Sequence, residues 1–241
     1  MTTINIKGDI ADNDTASFYS WFGMDAVSPS GVEAALQDAD NGAVTVNIAS
    51  GGGDVFAASE IYTMLRSFDG NVTVNIQGLA ASAASVIAMA GDTVNMAPTA
   101  QMMIHKAWSV TEGNADEHGH ESNVLESIDN SIINAYVAKT KLDRADIAKM
   151  MSDETWMTAQ EAVDKGFADK VMFAEEEQPQ FANAIGHTIP SHAKVAKFMK
   201  MLTEFKGSEK PTPDKPKENK TEEPAQSVKA QKLAFLYGKK D

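Results

Sequence analysis

The sequence predicts a layered α/β domain followed by a disordered C-terminal tail. Three observations lead there. Runs with the two-residue period of strands alternate with runs of helical period, glycine-bearing junctions separate them, and the composition changes abruptly after residue 175. With 241 residues and 43% hydrophobic composition the chain can bury a real core, so residues 1–175 read as one domain and 176–241 as an appendage.

Taken in order, Ile4 to Ile10 alternates apolar and polar residues and breaks at Ala11-Asp12-Asn13-Asp14, an opening strand and a turn. Phe18, Tyr19, Trp21 and Phe22 form an aromatic cluster, read as packing or an inter-subunit contact because no convergent polar group accompanies it. A loop through Ser28-Pro29 leads to a helix with Ser30 as N-cap, Glu33 as the returning half of a capping box, and Val32, Ala35 and Leu36 inward. Ala43 to Ile48 is the next strand. It stops at Ala49-Ser50-Gly51-Gly52-Gly53-Asp54, read as a glycine-rich turn, before a helix with Val55, Ala58, Ile61, Tyr62 and Leu65 on its apolar face. Val72 to Ile76 is a β-branched strand ending at Gly78, and a helix of small residues then lasts to about Ala90. Thr93 to Met96, Gln101 to Ile104 and Ala107 to Val110 read as short strands. Asn114 with Glu117 opens a long helix, Ala115 to about Thr140, with Val124, Ile128, Ile132, Ala135 and Tyr136 on one stripe. A short helix over Asp143 to Met151, a capping box at Thr158 and Glu161 opening a helix that ends at Gly166, and a strand from Ala168 to Phe173 complete the domain. No internal repeat is read beyond the βα alternation. In the appendage, Ser191 to Phe205 can form an amphipathic helix. Gly207 to Gln226 is rich in Lys, Glu and Pro and cannot bury enough apolar surface to offset its ordering entropy, and Ala230 to Tyr237 is a terminal apolar patch.

A formal net charge of −13 argues against nucleic acid or an anionic membrane surface as the main partner. Without cysteine there is no disulfide framework, thiolate metal site or cysteine nucleophile, which suits a cytoplasmic setting. The N-terminus lacks a signal peptide, and the most apolar window, Leu79 to Ala90, is too short to span a bilayer. His118, His120, His187 and His192 sit in polar contexts without ligand spacing, so no metal or other cofactor is expected.

The residue types that carry chemistry lie around the small-residue junction. Ser82 at the first turn of a helix can present its oxygen beside backbone N–H groups that lack intrahelical partners. Read alone, the stretch equally suits a close-packed helix start, and Ser85, one turn further on, is assigned that packing role. His105 at the end of a later strand can serve as base, and Asp153 and Glu154 can supply the orienting carboxylate.

These residues resemble the proteolytic subunit of the Clp protease (ClpP), especially its phage head-maturation branch. The resemblance is carried by Ser50-Gly51-Gly52-Gly53-Asp54 with the helix to Tyr62, by Gly78-Leu79-Ala80-Ala81-Ser82-Ala83, by Met103-Ile104-His105, and by Thr155 to Ala162 followed by Gly166-Phe167-Ala168-Asp169. Gly51 stands where the standard subunit carries proline. The resemblance implies the ββα-repeat fold shared with crotonases, Ser82 as nucleophile, His105 as general base, and the Gly53 and Ala83 N–H groups as oxyanion hole. Extended peptide would lie along Gly51 and Gly52 by strand addition. For the acid, Glu154 aligns with the family's aspartate and Asp153 is the alternative. The implied protein is a serine endopeptidase forming homo-oligomeric rings through the long helix, acting on polypeptide, with phage capsid or scaffold proteins as the substrates of that branch. Only Met1-Thr2-Thr3 precedes the first strand, so the partner ATPase docked by the standard subunit's N-terminal loop is not carried over. A crotonase-like acyl-CoA enzyme and a non-catalytic assembly module are the alternatives.

Overall fold

A computed structural model describes residues 2–39 and 42–173. The expectations for the tail, including the helix over 191–205, the Lys/Glu/Pro segment and the apolar patch, lie outside the described residues. Eight strands form one sheet in the order β2-β1-β3-β4-β5-β8, with β6 against the far end of β4 and β7 against β6. The spans are β1 Thr2–Ile10, β2 Ala26–Val27, β3 Val44–Gly53, β4 Val72–Ala81, β5 Thr93–Met96, β6 Gln101–Ile104, β7 Thr155–Thr158 and β8 Lys170–Val171. All pairings are parallel except β6 with β7. The helices are α1 Asn13–Trp21, α2 Pro29–Gln37, α3 Val55–Arg66, α4 Ala83–Ala88, α5 Ala115–Thr140, α6 Arg144–Ser152 and α7 Ala159–Asp164. Among the described residues no helix is long and apolar enough to cross a membrane.

Strand register explains the core. Ile4, Val46 and Val74 stand side by side, as do Ile6, Ile48 and Ile76, and all six are buried. Each such side chain contributes roughly 1.5–3 kcal/mol when fully buried. The opposite face of the same strands is polar. Asn95, Asn75, Asn47 and Asn5 form a ladder in which each amide nitrogen donates to the next side-chain oxygen, at 2.8, 3.5 and 3.3 Å. The ladder reveals a repeat that alternation alone hides. Thr3-Ile4-Asn5-Ile6, Thr45-Val46-Asn47-Ile48, Thr73-Val74-Asn75-Ile76 and Thr93-Val94-Asn95-Met96 are four copies of one pattern in register.

Several boundaries differ from expectation for tertiary reasons. β3 runs on through Gly51, Gly52 and Gly53 because Gly52 and Gly53 pair with Asp9 and Ile10 beyond a register shift, so the glycines form strand rather than turn. β4 likewise continues past Gly78 to Ala81, where Leu79 to Ala81 pair with Gln101 to Met103, and α4 is correspondingly short. Asp12 caps α1 by accepting from the N–H groups of Asp14 and Thr15, turning the expected turn into a helix that carries the aromatic cluster. Ser28 rather than Ser30 caps α2, because Pro29 takes the first helical position. Ala107 to Val110 is irregular, its backbone held by Asp129, and the last strand contracts to Lys170–Val171. The capping boxes at Asn114 and Glu117 and at Thr158 and Glu161 form as expected.

Candidate active site

Ser82 sits between β4 and α4 with φ 54° and ψ −126°, a conformation that residues bearing a Cβ avoid. Holding it there costs on the order of 1–3 kcal/mol, so the surroundings must impose it. They do so from several directions. The Ser82 N–H donates to the Met103 carbonyl on β6 at 2.9 Å, and the Ser82 carbonyl accepts from the Ser85 N–H at 2.9 Å and the Ser85 hydroxyl at 2.6 Å. Behind it lies Gly52 (φ 106°), where an added Cβ would come within 2.8 Å of the Ala81 carbonyl oxygen and of the Ser82 Cβ. Only glycine lets β3 and the serine turn approach this closely.

The same pairing delivers the histidine. Ala81 is in register with Met103, so His105, two residues further along, comes beside the end of β4. Its Nε2 lies 2.7 Å from the Ser82 Oγ. For Nε2 to accept the serine proton, the ring carries its own hydrogen at Nδ1.

The two candidate acids stand differently. β6 and β7 pair antiparallel, with Ile104 opposite Thr155 as the last rung, so His105 and Glu154 are the next residues on facing chains. The Glu154 carboxylate nevertheless accepts from the Trp156 indole N–H at 3.1 Å, and its backbone has φ 48°. Asp153 ends α6 and pairs with Lys149 on the exposed helix surface. Among the described residues no carboxylate is hydrogen-bonded to His105.

Of the glycines, Gly52 donates its N–H to the buried Ser50 hydroxyl at 3.1 Å, while Ser50 donates to the Gly8 carbonyl at 2.7 Å. Gly51 is open on its Cα side, and Gly53 lies against β1 with φ 142°. Ala83 is the first residue of α4, so its N–H has no acceptor within the helix.

Two hollows flank Ser82. One, about 350 Å³, has Val86 from α4 and Val124, Leu125, Ile128, Ile132 and Tyr136 from α5 in its wall, with Asp54, Lys106 and Glu121 also bordering it. The other, about 490 Å³, runs past Asp9, Gly51, Gly52, Met103 and His105. Trp108, 74% exposed, borders both. The α5 stripe was legible in the sequence as apolar, but its place beside Ser82 was not. Asp129 was missed as well. Its buried carboxylate accepts from the Ala107 N–H at 2.7 Å and anchors the segment after His105. Its signal was a single acidic residue on the inward side of an apolar stripe.

Comparison with known proteins adds to this geometry. The family model described as Clp protease matches residues 34–175. The ATP-dependent Clp protease proteolytic subunit 1 of Protochlamydia amoebophila is 32% identical over 134 residues, covering 54% of this chain and 65% of that protein. The ATP-dependent Clp protease proteolytic subunit 2 of Treponema denticola is 29% identical over 139 residues, covering 57% and 70%. The chain thus spans about two thirds of the length of these relatives. A solved structure, a point mutant of ClpP1 from Listeria monocytogenes, superposes with a TM-score of 0.59 at 22% identity, covering 71% of this chain and 91% of that one, a likeness of fold.

Proposed function

The chain belongs to the Clp protease family of serine peptidases, and we propose that it hydrolyses peptide bonds with Ser82 as nucleophile, His105 as general base and Glu154 orienting the imidazole. The observation that carries this reading is the 2.7 Å contact between Ser82 Oγ and His105 Nε2 on a strained strand-to-helix turn. His105 takes the hydroxyl proton as Ser82 Oγ adds to the scissile carbonyl. The oxyanion receives the N–H groups of Ala83 and Gly53; Gly52, whose N–H is engaged by Ser50, contributes conformation instead. Collapse passes the proton from His105 to the leaving amine, and water repeats the sequence on the acyl ester. The apolar hollow between α4 and α5 suits an apolar side chain next to the scissile bond, and Gly51 and Gly52 offer an edge for extended peptide. Glu154 is hydrogen-bonded to Trp156 through one carboxylate oxygen and leaves the other for His105 Nδ1, and Asp153 is the alternative acid. A crotonase-like pocket would need the oxyanion donors but gives no reason for a serine paired with a histidine.

The finer reading, carried by the resemblance, is a cytoplasmic homo-oligomeric ring processing phage capsid or scaffold proteins. Labelling with a fluorophosphonate tests the chemistry. The wild-type chain should be modified at Ser82, and Ser82→Ala should lose labelling together with peptide hydrolysis, a drop of at least about 10³-fold. Persistent labelling of the variant, or none of the wild type, overturns the assignment. Cleavage of a co-expressed capsid or scaffold protein by the wild type alone tests the substrate.

A further inference from the structure

We propose that Tyr136 and Ser85 form a buried hydroxyl relay that fixes the peptide plane between Ser82 and Ala83 and so aims the oxyanion-hole donor. The inference rests on Ser82 being the nucleophile. Ser85 is completely buried and Tyr136 is 1% exposed, yet each finds its polar partner in the other, with Oγ and OH 2.8 Å apart. The direction of the relay follows from proton counting. A carbonyl only accepts, so the 2.6 Å contact between Ser85 Oγ and the Ser82 carbonyl places the single Ser85 hydroxyl hydrogen on that bond. Ser85 Oγ can then only accept from Tyr136, whose O–H donates. Tyr136 is itself immobilised in the core, its ring 5.8 Å from that of Phe167. Burial also pushes its phenol well above the ordinary range, which keeps the donating hydrogen in place at any working pH.

The consequence lies on the other side of one planar bond. In a trans peptide the carbonyl oxygen of Ser82 and the N–H of Ala83 point in opposite directions from one rigid plate. Two donors from Ser85, one of them backed by Tyr136, hold the oxygen toward the core. The Ala83 N–H is therefore turned away from the core, toward the hollow where the oxyanion of an attacked carbonyl forms. Without the relay, Ser82 at φ 54° loses one of the contacts that oppose relaxation, and relaxation turns the plate and the donor with it. Tyr136 and Ser85 are thus positioning residues. Although the Tyr136 ring also borders the hollow beside Ser82, the hydroxyls of both residues act through the Ser82–Ala83 peptide.

Steady-state kinetics and transition-state-analogue binding on Ser85→Ala, Tyr136→Phe and the double variant test this. Removing an oxyanion donor outright typically costs 10²–10³-fold in kcat, so misaiming one should lower kcat by about tenfold in Ser85→Ala, less in Tyr136→Phe, with KM nearly unchanged. A peptide boronate, whose tetrahedral adduct fills the oxyanion hole, should lose affinity in the same proportion as kcat. Because Tyr136 acts through Ser85, the double variant should match Ser85→Ala in kcat. It should also be the more thermostable of those two, since it removes the phenol hydroxyl that Ser85→Ala leaves unpaired in the core. Recovery of kcat along with stability would make the pair merely structural and overturn the proposal. So would unchanged kcat and boronate affinity in Ser85→Ala while the wild type is labelled at Ser82. If Ser82→Ala retains full activity, the nucleophile assignment fails instead, which the same assay identifies.

Discussion

Ser82 and Glu154 both have positive φ without being glycine, at 54° and 48°, and they flank the same histidine, yet they are held in opposite ways. Ser82 is built into the sheet. Its amide is paired with β6, its carbonyl with buried Ser85, and Gly52 lies directly behind it. Glu154 follows an exposed helix end, and its carboxylate is held by the indole of Trp156, which is 49% exposed. Ser82 and His105 thus come already paired, whereas Glu154 sits on an arm whose side-chain contact faces water. Charge and hydrogen bonds on that arm compete with solvent and hold it weakly. Disturbing the buried side should therefore cost fold and chemistry together, and disturbing the exposed side should cost chemistry alone.

The largest effect on fold and chemistry together comes from breaking the buried side at Gly52. In Gly52→Ala the new methyl meets the Ala81 carbonyl oxygen and the Ser82 Cβ at 2.8 Å, and a φ of 106° suits no L side chain. Destabilisation of about 2–3 kcal/mol is expected from strain of this kind. A shifted nucleophile should lower kcat on the order of 10²-fold. Denaturant melts and peptide hydrolysis measure the two. Full activity in a stable Gly52→Ala would mean that the turn is not preorganised in the way described.

The exposed side is sharpened by paired substitutions. Glu154→Gln should lower kcat roughly 10²–10⁴-fold, as loss of the orienting carboxylate does in serine triads, without moving the melting temperature. Asp153→Asn removes only the surface pair with Lys149, and its rate should stay within about twofold of wild type. The reverse ranking assigns the acid to Asp153.

The same contrast explains what could be read in advance. The apolar strand patterns of β1, β3, β4 and β5 and the capping boxes of α5 and α7 are local signals, and these elements begin near where expected, although β3 and β4 run on beyond their expected ends. The sequence also singled out Ser82 and His105 as a candidate pair, and the structure brings them within hydrogen-bond distance. What local pattern could not convey was pairing at a distance. Gly51 to Gly53 look like a turn until β1 is laid beside them, and Gly78 looks like a strand end until β6 pairs with the residues beyond it. Ser85 looked like helix packing because its partner, Tyr136, lies 51 residues away. The Thr/Asn repeat escaped notice because its copies are spaced unevenly along the chain and only strand register lines them up.

The smallest effect concerns the anchor of the arm that carries Glu154. Thr158 ends β7 and caps α7, and the Glu161 carboxylate accepts from both its N–H, at 2.9 Å, and its hydroxyl, at 2.8 Å. These bonds favour the charged form and hold the Glu161 carboxyl below its ordinary value. A lowered folded-state value means that the stabilisation is complete above the ordinary carboxylate range and is lost as pH falls through the lowered one. Glu161→Gln keeps a side chain able to complete the box but removes the charge. Its melting temperature should therefore lie slightly below wild type near neutrality and converge with it in acid. No such convergence is expected for Tyr136→Phe, because the Tyr136 phenol is buried, has its titration raised, and stays protonated throughout that range. Melting curves of the two variants from neutral pH downward thus compare the exposed anchor with the buried one. A pH-independent gap in Glu161→Gln would show that the charge at the end of β7 contributes nothing, leaving the hydrogen bonds of the box as the whole of the anchor.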